Sequence, residues 1–212
     1  MRTACVLLGF GLLAIAATGC GPSAAGPTGG ATPALPAPQS TANWKQVDNL
    51  DYLNWKKFPV GTVVVRTAVS TNGEGSTTGV DTFTLKAVGD AEVSVERQNT
   101  TSRSDGYHKV NPVDTRKVSA KITVHPELDP TDFLKPDRKA KETGKEKVKV
   151  LDAEYECVKW EWTNGTEAGP MSVAAWLSDE VPGRIAKQVM KVKVEGRENV
   201  TTETVTEWRK AK

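Results

Sequence analysis

Most of the chain after residue 60 alternates apolar and polar residues with a period of two. The pattern is clearest from Lys117 to Val124, where every second residue is apolar. Because successive side chains of a strand point to opposite faces, this alternation predicts antiparallel strands with one buried face and one solvated face. The segments that show it are 61–69, 82–87, 92–96, 117–124, 147–151, 155–162, 171–177, 185–194 and 200–208.

A different spacing precedes these strands. Trp44, Val47, Leu50 and Leu53 follow one another at intervals of three residues. This spacing predicts a short amphipathic helix that ends before the Phe-Pro pair at 58–59. Long helical patterns do not alternate with the strands, so parallel βαβ units are not expected. The predicted fold is mainly β, an antiparallel sheet with one or two short helices.

Two stretches of the domain interrupt the alternation. The segment from Ser70 to Gly79 is rich in glycine, serine and threonine, and is typical of a hairpin connection. From Lys135 to Lys149 the chain carries seven basic residues and three acidic ones. These charges predict either a contact patch for an anionic lipid or polymer, or a solvated mobile loop. The loop is the preferred interpretation.

The first residues have the features of an export signal. A short apolar stretch lies between Arg2 and a run of small residues that ends at Cys20. It is shorter than the roughly 20 apolar residues that span a bilayer. Its end, Ala-Thr-Gly-Cys at 17–20, resembles a bacterial lipobox, which implies that 1–19 is a lipoprotein signal peptide and that Cys20 becomes lipidated. An ordinary secretory signal is the alternative, and either one exports the chain.

The segment from 20 to 42 links this signal to the domain. It is rich in glycine, proline and alanine, and Leu35 is its only large apolar residue. Such a composition buries too little apolar area to offset the entropy of ordering, so we expect a flexible tether before an antiparallel β domain over 43–212. Gly21 follows Cys20 where an aspartate would favour inner-membrane retention. Resemblance to that sorting pattern implies an outer-membrane anchor facing the periplasm, with the membrane as partner through Cys20.

Charge and cysteine content narrow the choice of partners. The chain has 28 basic and 26 acidic residues, and a net charge of +2 argues against a nucleic-acid partner. Of its three cysteines, only Cys157 lies in the predicted domain, so no disulfide is expected there. Cys157 falls within a predicted strand. We expect a buried, unreactive thiol, since free cysteine packs like a small apolar side chain.

The residues that usually carry catalysis are sparse. The two histidines, His108 and His125, have no spacing that indicates a metal site. No serine lies in a Gly-x-Ser-x-Gly elbow, and no glycine-rich phosphate loop is present. Asp179 and Glu180 form a carboxylate pair, but adjacent acids in a turn are expected only to aid solubility. We therefore predict no catalytic residue, no metal and no cofactor, and a protein that is not an enzyme.

The most distinctive motif is Trp-x-Ser-x-x-Val-Pro-Gly at 176–183. We expect one strand to end here and the next to begin after a turn in which Gly183 takes a positive φ. With Phe-Pro-Val-Gly at 58–61 and Tyr-Glu-Cys at 155–157, the motif resembles uncharacterised secreted bacterial β-sheet lipoproteins, which have no known activity. The order of elements resembles the LolA/LolB fold of periplasmic lipoprotein carriers. That resemblance implies a strongly curved antiparallel sheet, an incomplete barrel that closes over its helices and shelters acyl chains.

These features predict a non-enzymatic envelope lipoprotein that binds an apolar or lipid-like ligand, or an envelope protein, on the concave face of its sheet. Large aromatic side chains supply most of the area that such a site needs, although each can instead be core. The first alternative is a structural scaffold without a ligand cavity, and the second is an enzyme with a hidden carboxylate or His108 site. The candidate lining residues are Trp55, Trp160, Trp162 and Trp176.

Overall fold

A single antiparallel sheet of ten strands dominates the computed structural model, which describes residues 44–72, 75–194 and 196–211. The predicted signal peptide at 1–19 and the predicted tether at 20–42, with Cys20, lie outside the described residues. The strands are β1 (Lys45–Asp48), β2 (Val63–Asn72), β3 (Gly75–Val88), β4 (Glu92–Arg103), β5 (His108–Val110), β6 (Asp114–Ser119), β7 (Lys121–Val124), β8 (Lys141–Val150), β9 (Ala153–Thr166), β10 (Gly169–Leu177), β11 (Ile185–Val194) and β12 (Arg197–Arg209).

The sheet consists of two meanders that join at one pair of strands. Its order is β5-β4-β3-β2-β12-β11-β10-β9-β8, and β6 also pairs with β4. Strands β2 to β4 and strands β8 to β12 are each connected in sequence, whereas β12 pairs with β2 from Val200↔Thr71 to Arg209↔Val63. The sheet is curved without closing into a barrel, as the predicted incomplete barrel requires. Its curvature brings the edge strand β8 close to β11 and β12.

The helix is shorter than the spacing predicted. α1 (Leu50–Trp55) begins after Asn49, whose side chain accepts a hydrogen bond from the Asp51 amide at 3.1 Å. Trp44 and Val47 lie before it, and β1 pairs with β7 in a separate two-stranded sheet. A three-residue spacing over so few residues does not separate a helix from a strand that is followed by a helix. The predicted helix is therefore confirmed at Leu50 and Leu53, but the prediction was wrong for Trp44 and Val47.

The segment from Lys117 to Val124 is two strands instead of one. β6 pairs with β4 and β7 pairs with β1, and Ala120 separates them. The Ala120 amide donates to the Ala91 carbonyl at 2.7 Å, and its carbonyl accepts from the Asn49 amide at 3.0 Å. The alternation continues across this break, so the sequence pattern gave no sign of the change of partner.

Both predicted connections are shorter than expected. β2 and β3 remain paired as far as Asn72↔Gly75, so most of the predicted 70–79 loop is strand. Within the charged segment, a 3-10 helix (Pro130–Leu134) precedes β8, which begins at Lys141. The first residues of β8 are exposed on both faces of this edge strand, and a strand that is polar on both faces has no apolar alternation. The prediction of a solvated mobile loop was therefore wrong for 141–146.

The core lies where α1 covers the sheet. Tyr52 and Trp55 of α1 are buried, and the Tyr52 hydroxyl donates to the Gly89 and Asp90 carbonyls. Burial of large aromatic and aliphatic side chains supplies the main stabilising contribution to this packing. The other buried members of the cluster are Val64, Leu85, Val93, Val95, Val118, Val150, Cys157, Trp176, Val181, Ala186 and Val205.

Candidate functional site

The Trp-x-Ser-x-x-Val-Pro-Gly motif forms an ordered loop from Ser178 to Arg184, the 178–184 loop. The Ser178 amide donates to the Arg184 carbonyl at 2.8 Å, which closes the loop at its base. Gly183 has φ of 72° and Arg184 has φ of 65°, both in the left-handed region. The positive φ predicted for Gly183 is thus confirmed. Val181 at the centre of the loop is fully buried, so the loop packs into the core and is not an exposed connection.

Asn54 of α1 holds this loop by three hydrogen bonds. Its amide nitrogen donates to the Asp179 carbonyl at 3.0 Å and to the Val181 carbonyl at 3.1 Å. Its amide oxygen accepts from the Gly183 amide at 2.7 Å. A buried asparagine with both ends of its side chain satisfied contributes to stability without exposing reactive groups. This residue therefore fixes the loop onto the helix.

Arg66 of β2 holds the same loop from the sheet side. Its guanidinium donates to the Gly183 carbonyl at 2.9 Å and lies 4.9 Å from the centre of the Phe83 ring. Glu203 is 3.8 Å away, and both side chains are largely buried. Burial lowers the pKa of Arg66 and raises the pKa of Glu203, since each charged form loses hydration. Arg66 and Glu203 face each other inside the protein, so we assign both side chains a structural role.

A second ion pair lies beside Arg66 on the same face of the sheet. The Arg97 guanidinium donates to Asp81 at 2.6 Å, and Asn99 donates to the same carboxylate oxygen at 3.1 Å. The hydrogen bond to Asp81 raises the pKa of Arg97. Since Arg66 pairs with Asp81 in the strand register, the four groups form one polar row across β2, β3 and β4. Arg97, Asp81 and Asn99 bond one another and Arg66 bonds the 178–184 loop, although the Nε of Arg66 is buried without a hydrogen-bond partner.

A concave cleft lies on the sheet between β8 and strands β10 to β12. Because β8 curls toward β11 and β12, it forms one wall, and the other strands form the floor. The volume of this first cleft is about 420 Å³. It is lined by Glu146, Lys147, Val148, Lys149, Trp176, Lys187, Thr202 and Thr204.

Trp176 is the aromatic residue of the first cleft, and its indole is fixed in place. Its Nε1 donates to Glu146 Oε2 at 2.8 Å, and the ammonium groups of Lys187 and Lys159 lie 4.9 and 5.3 Å from its ring centre. The hydrogen bond from Trp176 lowers the pKa of Glu146, with Lys159 adding to the effect. Trp176 is only 8% exposed, so it offers an edge and not a full ring face to a ligand.

A second cleft of about 550 Å³ follows on the same two floor strands. Residues that pair across antiparallel strands share a face, and Trp176↔Lys187 of the first cleft is followed by Ala174↔Val189 and Ser172↔Lys191 of the second. The two clefts therefore succeed each other along β10 and β11. The second is lined by Lys139, Lys141, Glu161, Trp162, Thr163, Ser172, Val173, Ala174, Val189 and Lys191.

The charge of the two clefts is strongly unbalanced. Six lysines line them against two glutamates. Both glutamates already pair with Lys159, at 3.6 Å for Glu146 and 3.0 Å for Glu161. Of the lining lysines, Lys191 lies 3.8 Å from Glu198, and the other five have no carboxylate within ion-pair distance in the part of the chain that the structure describes. The concave face therefore carries a positive potential that can attract anions.

The four predicted ligand-lining tryptophans do not form one cluster. Trp55 is 5% exposed in the core beneath the 178–184 loop. Trp160 pairs with Ala175, which places it on the opposite face of the sheet from Trp176. Trp176 lines the first cleft, whereas Trp162, which borders the second, pairs with Val173 and lies with Trp160 on the opposite face of the sheet. A ligand-lining role for these residues stays a prediction. Lys139, Lys141, Lys147 and Lys149 belong to the 135–149 segment, for which an anionic contact patch was the alternative to a loop, whereas Lys187, Lys191, Asn54 and Arg66 were not foreseen as site residues.

The remaining reactive groups lie apart from the clefts. Cys157 is 1% exposed, and burial raises the pKa of its thiol to about 11, so the thiol is buried as predicted. His108 contacts Ser102 at 3.0 Å and His125 packs edge-on against Trp44. Asp179 pairs with Arg184 at 3.3 Å at the surface. Over residues 44–72, 75–194 and 196–211, no group of three or more His, Cys, Asp or Glu residues is placed to hold a metal ion.

None of the helices among the described residues is long and apolar enough to cross a membrane. No family model matches the chain, and no curated protein matches it. A protein from Bacteroides fragilis, described as exported and with a YmcC-like fold, has a TM-score of 0.45 and 10% identity over 72% of this chain and 97% of its own. A protein from Parabacteroides distasonis, described as a lipoprotein, has a TM-score of 0.43 and 13% identity over 72% of this chain and 97% of its own.

A hypothetical protein from Chlamydia trachomatis has a TM-score of 0.35 and 9% identity over 78% of this chain and 93% of its own. Similarities at these scores carry no argument about the function of this chain. The resemblance to the LolA/LolB fold stays a prediction, and the functional proposal has to be made from the chain's own residues.

Proposed function

We propose that this chain is a non-enzymatic lipoprotein of the bacterial envelope that binds an anionic ligand on the concave face of its sheet. The lipobox-like end of the leader, Ala-Thr-Gly-Cys at 17–20, supports anchoring through Cys20 at the outer membrane. Several acyl chains on one cysteine make such an anchor stable, because each buried methylene contributes about 0.8 kcal/mol. The tether from 20 to 42 then gives the sheet domain reach from the membrane surface.

The observation that carries the ligand proposal is the set of lysines without carboxylate partners around the first cleft. Lys187 lies over the Trp176 ring and supplies the main cation of the cleft, while Lys147 and Lys149 border the cleft from β8 at positions that alternate with the inward-facing Glu146. The nearby Glu146 is already occupied by the Trp176 indole and by Lys159. Positive charge in a concave site raises the local concentration of anions and speeds their association. An anion can therefore complete the charge balance that the protein leaves open.

The lining favours an anionic ligand over the purely apolar one expected from the sequence. Thr202 and Thr204 add hydroxyl groups to the first cleft, and Val148 is its only aliphatic side chain. Sites for apolar molecules are lined mainly by hydrophobic side chains with a few polar groups. In the first cleft, charged and hydroxyl side chains outnumber apolar ones.

Native mass spectrometry and anion titration test the proposal. The domain is purified gently, without detergent, and a co-purifying mass is identified. Binding of a multivalent anion such as inositol hexakisphosphate is then measured by calorimetry for the natural chain and for Lys149→Gln/Lys187→Gln. We expect binding to weaken at least tenfold in this variant and with rising salt, because each contact is electrostatic. Lys109→Gln on β5, at the far edge of the sheet, is the control and should bind like the natural chain.

An exposed apolar edge supports a second candidate, the scaffold without a ligand. Tyr107, Val110 and Val113 are 40%, 53% and 56% exposed where β5 and β6 border β4. Neighbouring exposed apolar side chains often mark protein contacts. A natural chain that binds no anion, together with a Val110→Asp/Val113→Asp variant that loses an envelope partner in cross-linking, would favour the scaffold.

A further inference from the structure

The two clefts lie end to end, and this arrangement indicates the shape of the ligand. Resting on the proposed anion binding, we infer that the natural ligand is an extended acidic polysaccharide that runs along β10 and β11 through both clefts. Each cleft has lysines of its own, and the part of the second cleft's floor that is next to the first consists of the small or compact pair Ala174↔Val189. A chain can therefore pass from one cleft to the other without meeting a large side chain on these two strands.

The spacing of the floor lysines fits a repeating anion. Lys187 and Lys191 are four residues apart on β11, so their backbone positions are about 13 Å apart along the strand. On β8, Lys141 pairs with Glu161 and lies on the same face as these floor lysines at the second cleft, whereas Lys149 pairs with Glu154 and lies on the opposite face. Compact anions such as a single phosphate reach one of the lysines on the shared face. A linear chain with several acidic groups reaches them together.

Hydroxyl groups beside the lysines favour a sugar chain among linear polyanions. Thr202 and Thr204 line the first cleft, and Thr163 and Ser172 line the second. Hydroxyl groups both donate and accept hydrogen bonds, as sugar hydroxyls do, whereas a bare polyphosphate offers acceptors only. The concave shape also argues against the flat surface of a bilayer, which contacts a rim more readily than a floor.

The test uses the full chain, purified from bacterial cells in a mild non-ionic detergent. Calorimetry compares a galacturonate disaccharide with an octasaccharide. The octasaccharide contains more disaccharide units, and their number alone would raise its affinity. We expect it to bind at least about tenfold more tightly than this increase predicts, because a second contact on the same chain is intramolecular. Lys187→Gln and Lys191→Gln should each reduce the octasaccharide to disaccharide-like affinity. Lys109→Gln is the matched control, and the melting temperature of each variant confirms that it is folded.

Three results would overturn the inference. Equal affinity for both sugars, lost only in Lys187→Gln, would leave the anion site in the first cleft and refute the extended ligand. Tighter binding to polyphosphate, or to vesicles containing phosphatidylglycerol, with the same lysine dependence would replace the polysaccharide by that anion. Absence of binding to any of these anions, including inositol hexakisphosphate, would remove the proposed function and the inference together.

Discussion

The side-chain oxygen of Asn54 accepts a hydrogen bond of 2.7 Å from the backbone amide of Gly183, which joins the helix to a loop 129 residues later in the chain. The same side chain donates to the carbonyls of Asp179 and Val181. Asn54 thereby binds the 178–184 loop through one backbone amide and two backbone carbonyls of the loop. This relationship gives the conspicuous Val-Pro-Gly motif a structural role, and it can be tested directly.

Asn54→Asp should destabilise the protein by about 3 kcal/mol. The substitution keeps the oxygen that faces Gly183 but replaces the donor with a second oxygen that faces two carbonyls. Each buried group left without a partner costs about 1–3 kcal/mol. Urea unfolding measures the change. Asn49→Asp is the control, since its oxygen only accepts a hydrogen bond from the Asp51 amide and aspartate is an equally good N-cap. Equal effects of the two variants would contradict the assignment.

Gly183→Ala should cost more stability than Gly106→Ala, although both glycines have positive φ. The left-handed region costs any other residue about 1–2 kcal/mol at either position. A methyl group at Gly183 would lie 2.5 Å from the Arg66 guanidinium and 3.1 Å from the Trp55 ring, whereas nothing lies within 4 Å at Gly106. Thermal unfolding of the two variants isolates the steric part. If their melting temperatures agree, the packing of Arg66 against the loop is looser than described.

Glu203 should make stability fall as the pH rises. Burial raises its pKa in the folded protein above the ordinary value of 4.5, so the unfolded chain loses this proton first. The folded state is therefore favoured most below the unfolded pKa, and this contribution is lost as the pH rises through the folded pKa. Chemical unfolding from pH 4 to 7 should show that Glu203→Gln gains stability relative to the natural chain with rising pH. The exposed Glu198→Gln, on the same strand, is the control.

The Cys157 thiol should resist labelling in the folded protein. With a pKa of about 11, only about a thousandth of it is thiolate at pH 8, and the side chain is buried. In a chain with Cys5 and Cys20 replaced by serine, Ellman's reagent should react in denaturant and hardly at all without it. The control is the same chain with Ser119→Cys and Cys157→Ala added. It should react rapidly, because residue 119 is exposed. Comparable rates for both chains would mean that β9 opens readily.

Periodicity predicted the sheet because half-buried strands must alternate. Strand β11 (Ile185–Val194) agrees with its predicted bounds, since buried Ala186 and Met190 alternate with the less buried Lys187 and Lys191. Strand β8 shows the limit of the method, because an edge strand exposed on both faces has no apolar period to detect. The charge pattern suggested either a contact patch or a loop for its lysines. Their position beside the clefts depends on the curvature of the sheet, which the charge pattern does not contain.

The inner charges were missed for a related reason. Arg66 is buried on the same face of β2 as Val64, whereas the alternation favours Val63, Val65 and Val69 as the apolar face of this strand. Its partner Glu203 lies 137 positions later and on a strand whose neighbour is not adjacent in sequence. Pairings between distant strands depend on topology, which periodicity does not encode. The same holds for the two clefts, whose walls come from different hairpins.

The junction of β2 with β12 sets the order in which the sheet can be completed. β2 lies near the start of the described chain and β12 is its last strand. The pairing of β2 with β12 therefore forms only after the described chain has been synthesised as far as β12. Such a long-range closure slows folding, because the entropy of the intervening chain is lost before the contact is made. Until then the first meander has one open edge, on β2. A premature stop before β12 would leave two such edges exposed, on β2 and β11, and make the truncated chain a substrate for aggregation or proteolysis.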